Sequence, residues 1–315
     1  MKKFISLPLK NVYRIVGEDY YLIDQVLKEL KIACGGEMSD LNQSYFDDEN
    51  FSADKLLDSC NQMPFIAEKR LVILKELSKV SEADKKKIVE YSKSPSPFSV
   101  LAIIDNNKNF VSVQGEVIDC KPLNFNELSV FIKEKFSSLG TGISQDGLKE
   151  LIESCSYNLT KIVAEIEKLA SYAGDKEVSK ADVDNLVTKT DDFTIFELSD
   201  ALSKKESVRA VKLLELMLAS LEPTMILSLL AGHFRRLFHA KISSLSTQEL
   251  AKLLGVKEFA VTRAKEQAKN FSAVNLKKIV ELILNTDYMI KSGQMNAENA
   301  IHYLVFSILE LKWKE

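Results

Sequence analysis

The chain has 315 residues, of which 46% are hydrophobic and 28% charged, and its formal net charge is −3. This length is enough for two or three domains, and the composition is that of an ordinary globular protein. No run approaches the roughly 20 apolar residues of a membrane span, and no secretory signal pattern follows the basic start. The sequence therefore predicts a cytoplasmic protein with no membrane partner.

The region up to about residue 138 alternates between strand and helix patterns. Helix patterns begin after Glu18, after the N-cap candidate Ser52, and in the Lys-rich stretch around 85–91. The strand patterns between them are Asn11–Val16, Asn42–Phe46, Arg70–Leu74, Phe98–Ile104 and Glu116–Cys120. Such alternation predicts a mainly parallel sheet with helices on its faces.

A short apolar segment, Met63-Pro64-Phe65-Ile66, interrupts this alternation just before the third strand pattern. Large apolar side chains between two elements either pack beneath the sheet, here next to Leu71, or form a surface that binds a partner. Pro64 would stiffen such a binding loop and reduce the entropy that it loses on binding. Both interpretations are open from the residues alone.

From about Asn126 the strand patterns end, and all further patterns are helical. Helices over 129–136, 144–155 and 159–172, with another after the N-cap candidate Ser179, predict a small helical module. A larger bundle follows Phe193, and its helix patterns lie at 206–221, 224–242, 247–254, 257–269, 273–291 and 296–314. The expected domains are α/β at 1–138, small helical at 139–193 and larger helical at 194–315.

The residues needed for nucleotide chemistry are missing where a phosphate loop would stand. After the first strand the chain reads Gly17-Glu18-Asp19, without the Gly-rich turn, Lys and Ser or Thr that hold phosphates and Mg²⁺. Asp105 ends an apolar strand as a Mg²⁺-binding Asp can, but Asn106 follows it, so we expect Asp105 to cap a turn. These features argue against ATP hydrolysis.

No catalytic or metal-binding set of side chains stands out elsewhere. His233 and His239 are six positions apart, on different faces of a helix, and we expect them on a polar, basic face. The cysteines lie far apart and predict free thiols, mostly in or near cores, rather than a zinc site. They are Cys34, Cys60, Cys120 and Cys155.

Four segments, in this order and spacing, carry a resemblance over nearly the full length. They are Tyr13–Asp19, Met63–Ile73, Tyr157–Leu169, and Phe196–Leu202 with Ala210–Leu216, Glu222-Pro223 and Phe234-Arg235-Arg236. The chain resembles the delta subunit of the bacterial DNA polymerase III clamp loader, a family of degenerate AAA+ proteins. The resemblance implies an AAA+-like α/β domain without a phosphate loop at 1–138, a helical lid at 139–193 and a helical collar at 194–315.

The resemblance also implies a function in DNA replication and a set of partners. Met63, Phe65 and Ile66 would insert into an apolar pocket of the sliding clamp and open the ring for loading onto primed DNA. The family usually has a Leu-Phe pair where this chain has Phe65-Ile66, so which side chain lies deeper stays open. The collar would join the ATPase subunits of the loader, and primer-template DNA would lie inside the assembled complex. No cofactor, metal or catalytic residue is implied, and the chain would be a non-catalytic subunit of the polymerase III holoenzyme.

Two other functions stay open from the residues. From Ser199 to its end the chain carries 17 Lys and Arg against 12 Asp and Glu, which suits a free-standing helical regulator that binds DNA. The second alternative function is that of a divergent AAA+ ATPase. It would need a nucleotide site that the turn after the first strand does not provide.

Overall fold

The computed structural model describes residues 4–35, 41–106, 108–256 and 258–311. These residues divide into two compact units. The first comprises the chain up to Ile152 together with Tyr157–Val187, and the second comprises Glu153–Ser156 together with the chain from Thr188 onward. The small helical module predicted at 139–193 thus lies mostly in the same unit as the sheet, and its status as a separate domain stays a prediction.

The first unit contains a five-stranded parallel sheet in the order β2-β3-β4-β1-β5. The strands are β1 (Val12–Val16), β2 (Gln43–Phe46), β3 (Arg70–Leu74), β4 (Ser99–Ile104) and β5 (Glu116–Asp119). In the central strand β4, residues 100–103 are all fully buried. A strand covered on both faces needs such a continuous apolar run, which explains the pattern in the sequence. The predicted parallel α/β domain is confirmed.

Four helices connect and cover the strands of this sheet. The N-terminus of the fourth is fixed by a capping box in which the Asn124 side chain accepts from the Glu127 backbone N–H and the Glu127 side chain accepts from the Asn124 N–H. The helices are α1 (Tyr20–Gly35), α2 (Ala53–Asn61), α3 (Glu82–Lys93) and α4 (Phe125–Ser138). Because the strands are parallel, their amino ends share one edge of the sheet and their carboxyl ends share the other.

Three short helices complete the first unit: α5 (Gln145–Ser154), α6 (Leu159–Ala173) and α7 (Lys180–Leu186), although the last residues of α5 belong to the second unit. A parallel bridge between Ile143 and Val178 joins the segments that precede α5 and α7. Ser179 caps α7 as predicted, with its hydroxyl accepting from the Asp182 N–H.

The second unit is entirely helical among its described residues. Its helices enclose one large apolar core with members such as Leu214, Phe234 and Leu304. They are α8 (Asp191–Ser203), α9 (Ser207–Leu218), α10 (Pro223–Ile242), α11 (Thr247–Leu254), α12 (Glu258–Gln267), α13 (Ala273–Lys291) and α14 (Ala297–Glu310). Pro223 is the first residue of α10, one residue before the predicted start at 224, and Gly255 ends α11 in the left-handed conformation, as predicted.

His233 departs from its prediction, because it is buried in this helical core rather than on a polar face. Its Nε2 lies 2.9 Å from Gln267 Oε1, and the Gln267 amide nitrogen donates to the Phe196 carbonyl at 3.0 Å. Since that amide oxygen can only accept, Nε2 carries the ring proton. Burial, and secondly the Arg236 charge, lower the pKa of His233 to about 3. The Phe234 ring, whose centroid lies 5.7 Å from that of His233 in a T-shaped arrangement, adds to this apolar surrounding.

The buried His233 predicts that the protein loses stability on mild acidification. In the unfolded chain the ring takes up a proton below its ordinary pKa of 6.5, whereas the folded ring stays neutral down to about 3. The contribution is therefore intact above pH 6.5 and is lost as the pH falls below it. We expect the free energy of unfolding to drop by about 2 kcal/mol from this residue by about pH 5. Urea unfolding at about pH 7.5 and about pH 5 measures the drop.

His233→Gln should unfold with a much weaker pH dependence than the wild type over this interval. The matched control is His239→Gln, on the same helix α10, where the side chain is only partly buried. Equal pH dependence in the His233→Gln variant and the wild type would contradict the assignment.

Two further findings concern the cysteines and the membrane. Cys34, Cys60, Cys120 and Cys155 are free thiols and all are buried, as predicted. None of the helices in the described ranges is long and apolar enough to cross a membrane.

Candidate functional site

The apolar segment Met63–Ile66, which we call the plug, is an exposed loop between α2 and β3. The side chains of Met63, Phe65 and Ile66 are 71%, 57% and 72% exposed. The interpretation in which Phe65 and Ile66 pack beneath the sheet is therefore wrong. Leu71, their expected neighbour, is itself buried. Three large apolar side chains thus stand together in water, which is the form of a binding surface.

The local sequence explains why the chain leaves the helical conformation here. α2 ends at Asn61, and Gln62 already has extended backbone with φ −72° and ψ 139°. Pro64 disfavours helical geometry at Met63, and it has no N–H to donate. Ile66 has a φ of 50°, in the left-handed region that β-branched residues rarely adopt. Such a conformation persists only where surrounding structure holds it.

Asn42, which the sequence patterns did not single out, holds the plug backbone. It lies directly before β2 and is 1% exposed. Its Oδ1 accepts from the Phe65 N–H at 2.6 Å, and its Nδ2 donates to the Phe65 carbonyl at 2.8 Å. The two residues are 23 positions apart, so no local pattern could reveal the contact. The only available signal was an Asn, a poor strand former, at the start of a strand pattern.

The base of the loop is tied to three neighbouring elements. The Lys69 N–H donates to the Cys34 carbonyl in α1 at 3.2 Å, and the Arg70 N–H donates to the Phe98 carbonyl at 2.8 Å. The Arg70 guanidinium also donates to the Ser44 hydroxyl in β2 at 3.0 Å. The loop is therefore fixed where it enters β3, while its tip carries the exposed side chains.

At the turn after β1, where a phosphate loop would stand, backbone N–H groups form hydrogen bonds within the chain. The Asp19 carboxylate accepts from the backbone N–H groups of Tyr21 and Leu22 at 3.1 and 3.2 Å, at the start of α1. The Asp19 N–H in turn donates to the Cys120 carbonyl at 3.0 Å. These amide groups are the ones that would bind a phosphate at a helix N-terminus. A fixed carboxylate therefore occupies the place of the anion.

Gly17 and Asn106 close the same turn from the other side. The Gly17 N–H donates to Asn106 Oδ1 at 2.7 Å, and Asn106 Nδ2 donates to Glu76 at 3.2 Å. Gly17 has a φ of 137°, and a Cβ there would come within 2.1 Å of the Cys120 backbone. Glycine is thus required for close packing of the turn on β5, not for approach of a ligand.

Asp105, at the carboxyl end of β4, caps a turn as predicted. Its two carboxylate oxygens both lie 3.2 Å from the Phe110 N–H, and Oδ2 lies 3.4 Å from Arg14 Nε. The Arg14 guanidinium also donates to the Val111 carbonyl at 2.8 Å. Burial raises the pKa of Asp105, and the Phe110 N–H and the Arg14 charge partly offset this. The carboxylate is committed to the loop between β4 and β5.

Among the residues that the structure describes, no group of His, Cys, Asp and Glu side chains could hold a metal ion. The described geometry thus offers an exposed, supported apolar loop, and a nucleotide-like turn whose hydrogen-bonding groups are engaged within the chain.

Comparisons with known proteins agree with this description. Residues 13–113 match the family described as DNA polymerase III, delta subunit, and residues 192–308 match the DNA polymerase III delta subunit, C-terminal domain. The chain is 25% identical to DNA polymerase III subunit delta of Bacillus subtilis, over 95% of this chain and 93% of that protein. It is 24% identical to a probable DNA polymerase III subunit delta of Aquifex aeolicus, over 91% and 88% of the two chains.

The fold agrees with a solved structure of the same kind. The Bacillus subtilis DNA clamp loader delta protein superposes with a TM-score of 0.77 at 24% identity, covering 96% of both chains. The two family matches lie in the order expected from the sequence and together span more than half of the chain. The chain therefore belongs to the DNA polymerase III delta subunit family.

Proposed function

We propose that this chain binds the sliding clamp through the plug and holds the ring open for loading onto primed DNA. The observation that carries the proposal is the exposure of Met63, Phe65 and Ile66 on a loop that buried hydrogen bonds support. Membership of the delta family supports the clamp as the partner. An apolar pocket on the clamp surface is the complementary site.

The size of the plug suits an anchor for such an interface. Moving one large apolar side chain from water into a pocket contributes roughly 1.5–3 kcal/mol. Two or three together can dominate an interface as hot spots. Since Phe65 and Ile66 are more than half exposed in the free chain, most of their apolar surface is available for this burial.

Opening of the ring would follow from a difference in affinity. A ligand shifts an equilibrium between two states only as far as it binds one state more tightly than the other. The plug would therefore have to fit the clamp better when the neighbouring ring interface is open. No nucleotide chemistry in this chain is required, because Asp19 occupies the phosphate position at α1.

The other parts of the chain would serve assembly. We assign 1–138 to the AAA+-like domain that presents the plug, 139–193 to the lid and 194–315 to the collar that joins the ATPase subunits. The helical unit exposes several large apolar side chains, which subunit packing would cover. They are Val208, Leu216, Leu284, Tyr288, Tyr303 and Phe306. Primer-template DNA would contact basic side chains through its phosphates inside the complex.

Binding of the purified chain to the sliding clamp from the same genome tests the proposal directly. We expect saturable binding without nucleotide, and the same affinity when ATP and Mg²⁺ are added. Absence of binding at about 50 μM clamp would contradict the proposal, since that limit is far weaker than a hot-spot interface predicts. Titration with duplex and single-stranded DNA in parallel tests the free-standing DNA-binding regulator, and an ATP requirement would instead favour a divergent ATPase.

A further inference from the structure

The side chain of Asn42 links the plug to the edge of the sheet. β2, which begins at the next residue, pairs in parallel with β3 through Gln43 and Leu71. Asn42 is therefore fixed by the sheet on one side, while its amide group reaches Phe65 on the other. One primary amide meets both backbone groups of one residue, as a neighbouring strand would do.

Among the described residues outside the loop, only Asn42 forms hydrogen bonds with loop residues 63–68, and both of these bonds are to Phe65. The next tie along the loop is the Lys69 N–H at its base. Between these points the side chains of Met63, Phe65 and Ile66 are all more than half exposed. The conformation of the loop tip thus depends on this one buried amide.

The backbone at Ile66 shows why such an anchor is needed. Its φ of 50° is unfavourable for a β-branched residue, so an unsupported loop would leave this conformation. Phe65, the residue that Asn42 holds, directly precedes it. Fixing both the N–H and the carbonyl of Phe65 restricts the rotations on which the direction of both side chains depends.

We infer that Asn42 is a positioning residue for clamp binding, which presets Phe65 and Ile66 in the conformation that enters the partner's apolar pocket. The inference rests on the proposed function and gives a structural reason for the affinity of the plug for the clamp. A loop held in its bound conformation loses less entropy on association, so more of the burial energy appears as affinity. When only a fraction of the molecules has the competent loop, the apparent affinity falls by that fraction.

The inference predicts a slower association with the clamp when Asn42 is replaced by alanine. We expect the association rate constant to fall about tenfold, with a smaller change in dissociation, because the pocket itself holds the loop after binding. Stopped-flow or surface-based kinetics with the cognate sliding clamp measures both constants. The matched control is Asn106→Ala, which removes an amide with two hydrogen bonds just after the carboxyl end of the central strand β4 and should keep wild-type kinetics.

A second experiment distinguishes positioning of the plug from a role of Asn42 in stability alone. It repeats Asn42→Ala in a chain that lacks the large plug side chains. In a Phe65→Ala, Ile66→Ala background, Asn42→Ala should produce no further loss, since Asn42 acts only through those side chains. An equal loss in both backgrounds, or a loss matched by Asn106→Ala, would overturn the inference. Wild-type kinetics for Asn42→Ala would overturn it as well, whereas wild-type binding by the plug variant alone would overturn the proposed function.

Hydrogen exchange provides a readout that needs no clamp. The Phe65 amide should exchange slowly in the wild type, because it donates to the buried Oδ1 of Asn42. If Asn42→Ala does not fold, Asn42→Asp is the second variant. It retains the acceptor for the Phe65 N–H but sets an oxygen against the Phe65 carbonyl, so it should also slow association. Rapid exchange of the Phe65 amide in the wild type would contradict the inference.

Discussion

Replacement of Arg14 by methionine is expected to lower the free energy of unfolding by about 3 kcal/mol. The Asp105 side chain is 1% exposed, and Arg14 Nε lies 3.4 Å from its Oδ2. Removing the cation leaves a buried carboxylate that only the backbone N–H groups of Phe110 and Asn109 still support by hydrogen bonds among the described residues. Urea unfolding at about pH 7.5 measures the loss.

The double variant Arg14→Met, Asp105→Asn separates the charge from the packing. With the carboxylate replaced by a neutral amide, we expect the pair of substitutions to cost about 1–2 kcal/mol, clearly less than the sum of the single losses. Acid should also narrow the gap between Arg14→Met and the wild type. Burial already raises the pKa of Asp105, and loss of the Arg14 charge would raise it further, so the variant becomes neutral at a higher pH. Additive single losses would contradict this account.

The Arg14–Asp105 ion pair has a structural role beside the turn after β1, where a phosphate loop would stand. Asp105 ends an apolar strand in the position where a Mg²⁺-binding carboxylate can stand, yet it binds the loop that leads to β5. Asn106 next to it fixes Gly17, and Asp19 caps α1. Each of these three side chains thus stabilises a turn or a helix start within the chain itself.

The strands could be predicted because each carries its signal locally. β3 begins and ends where its Arg-Leu-Val-Ile-Leu run predicted, and β4 begins one residue later than its pattern. Helix ends with capping residues were also predictable, as at Ser179 and Gly255. A parallel sheet has few arrangements once its strands alternate with helices, so the fold class followed.

The unpredicted features depend on contacts between distant positions. Arg14 and Asp105, or Asn42 and Phe65, are neighbours only after the sheet has formed. The arginines that follow His233 suggest a polar face, but its own helix position faces the core. The apolar periodicity of helix α8 is weak, so the pattern did not predict this helix, although Thr190 and the two Asp residues after it mark its start.

The plug segment could be identified from the sequence, but its exposure could not be predicted. Met63, Phe65 and Ile66 are residue types that usually lie in a core. They are exposed on a loop that contains Pro64 and a left-handed backbone at Ile66. A strained β-branched residue cannot be foreseen from propensity, since propensity predicts its avoidance. The proposed function of this loop therefore depends on the backbone feature that local rules predict least well.

The double substitution Phe65→Ala, Ile66→Ala is expected to weaken clamp binding by roughly 100- to 1,000-fold, which is about 3–4 kcal/mol. Each side chain would lose most of the apolar area that it buries in the partner. Folding should change little, because both side chains are largely exposed and alanine tolerates the Ile66 backbone at least as well. Equilibrium titration with the sliding clamp measures the loss, and urea unfolding checks the stability.

A matched control removes comparably exposed apolar side chains elsewhere in the same unit. Val117 and Val130 are 57% and 58% exposed, on β5 at the opposite edge of the sheet from β2 and on α4. Their double alanine variant should bind the clamp as the wild type does. The single variants Phe65→Ala and Ile66→Ala then rank the two anchors, since the side chain that enters the pocket more deeply loses more area and more affinity. If the plug variant binds within about threefold of the wild type, the difference is under 1 kcal/mol and the plug is not the anchor.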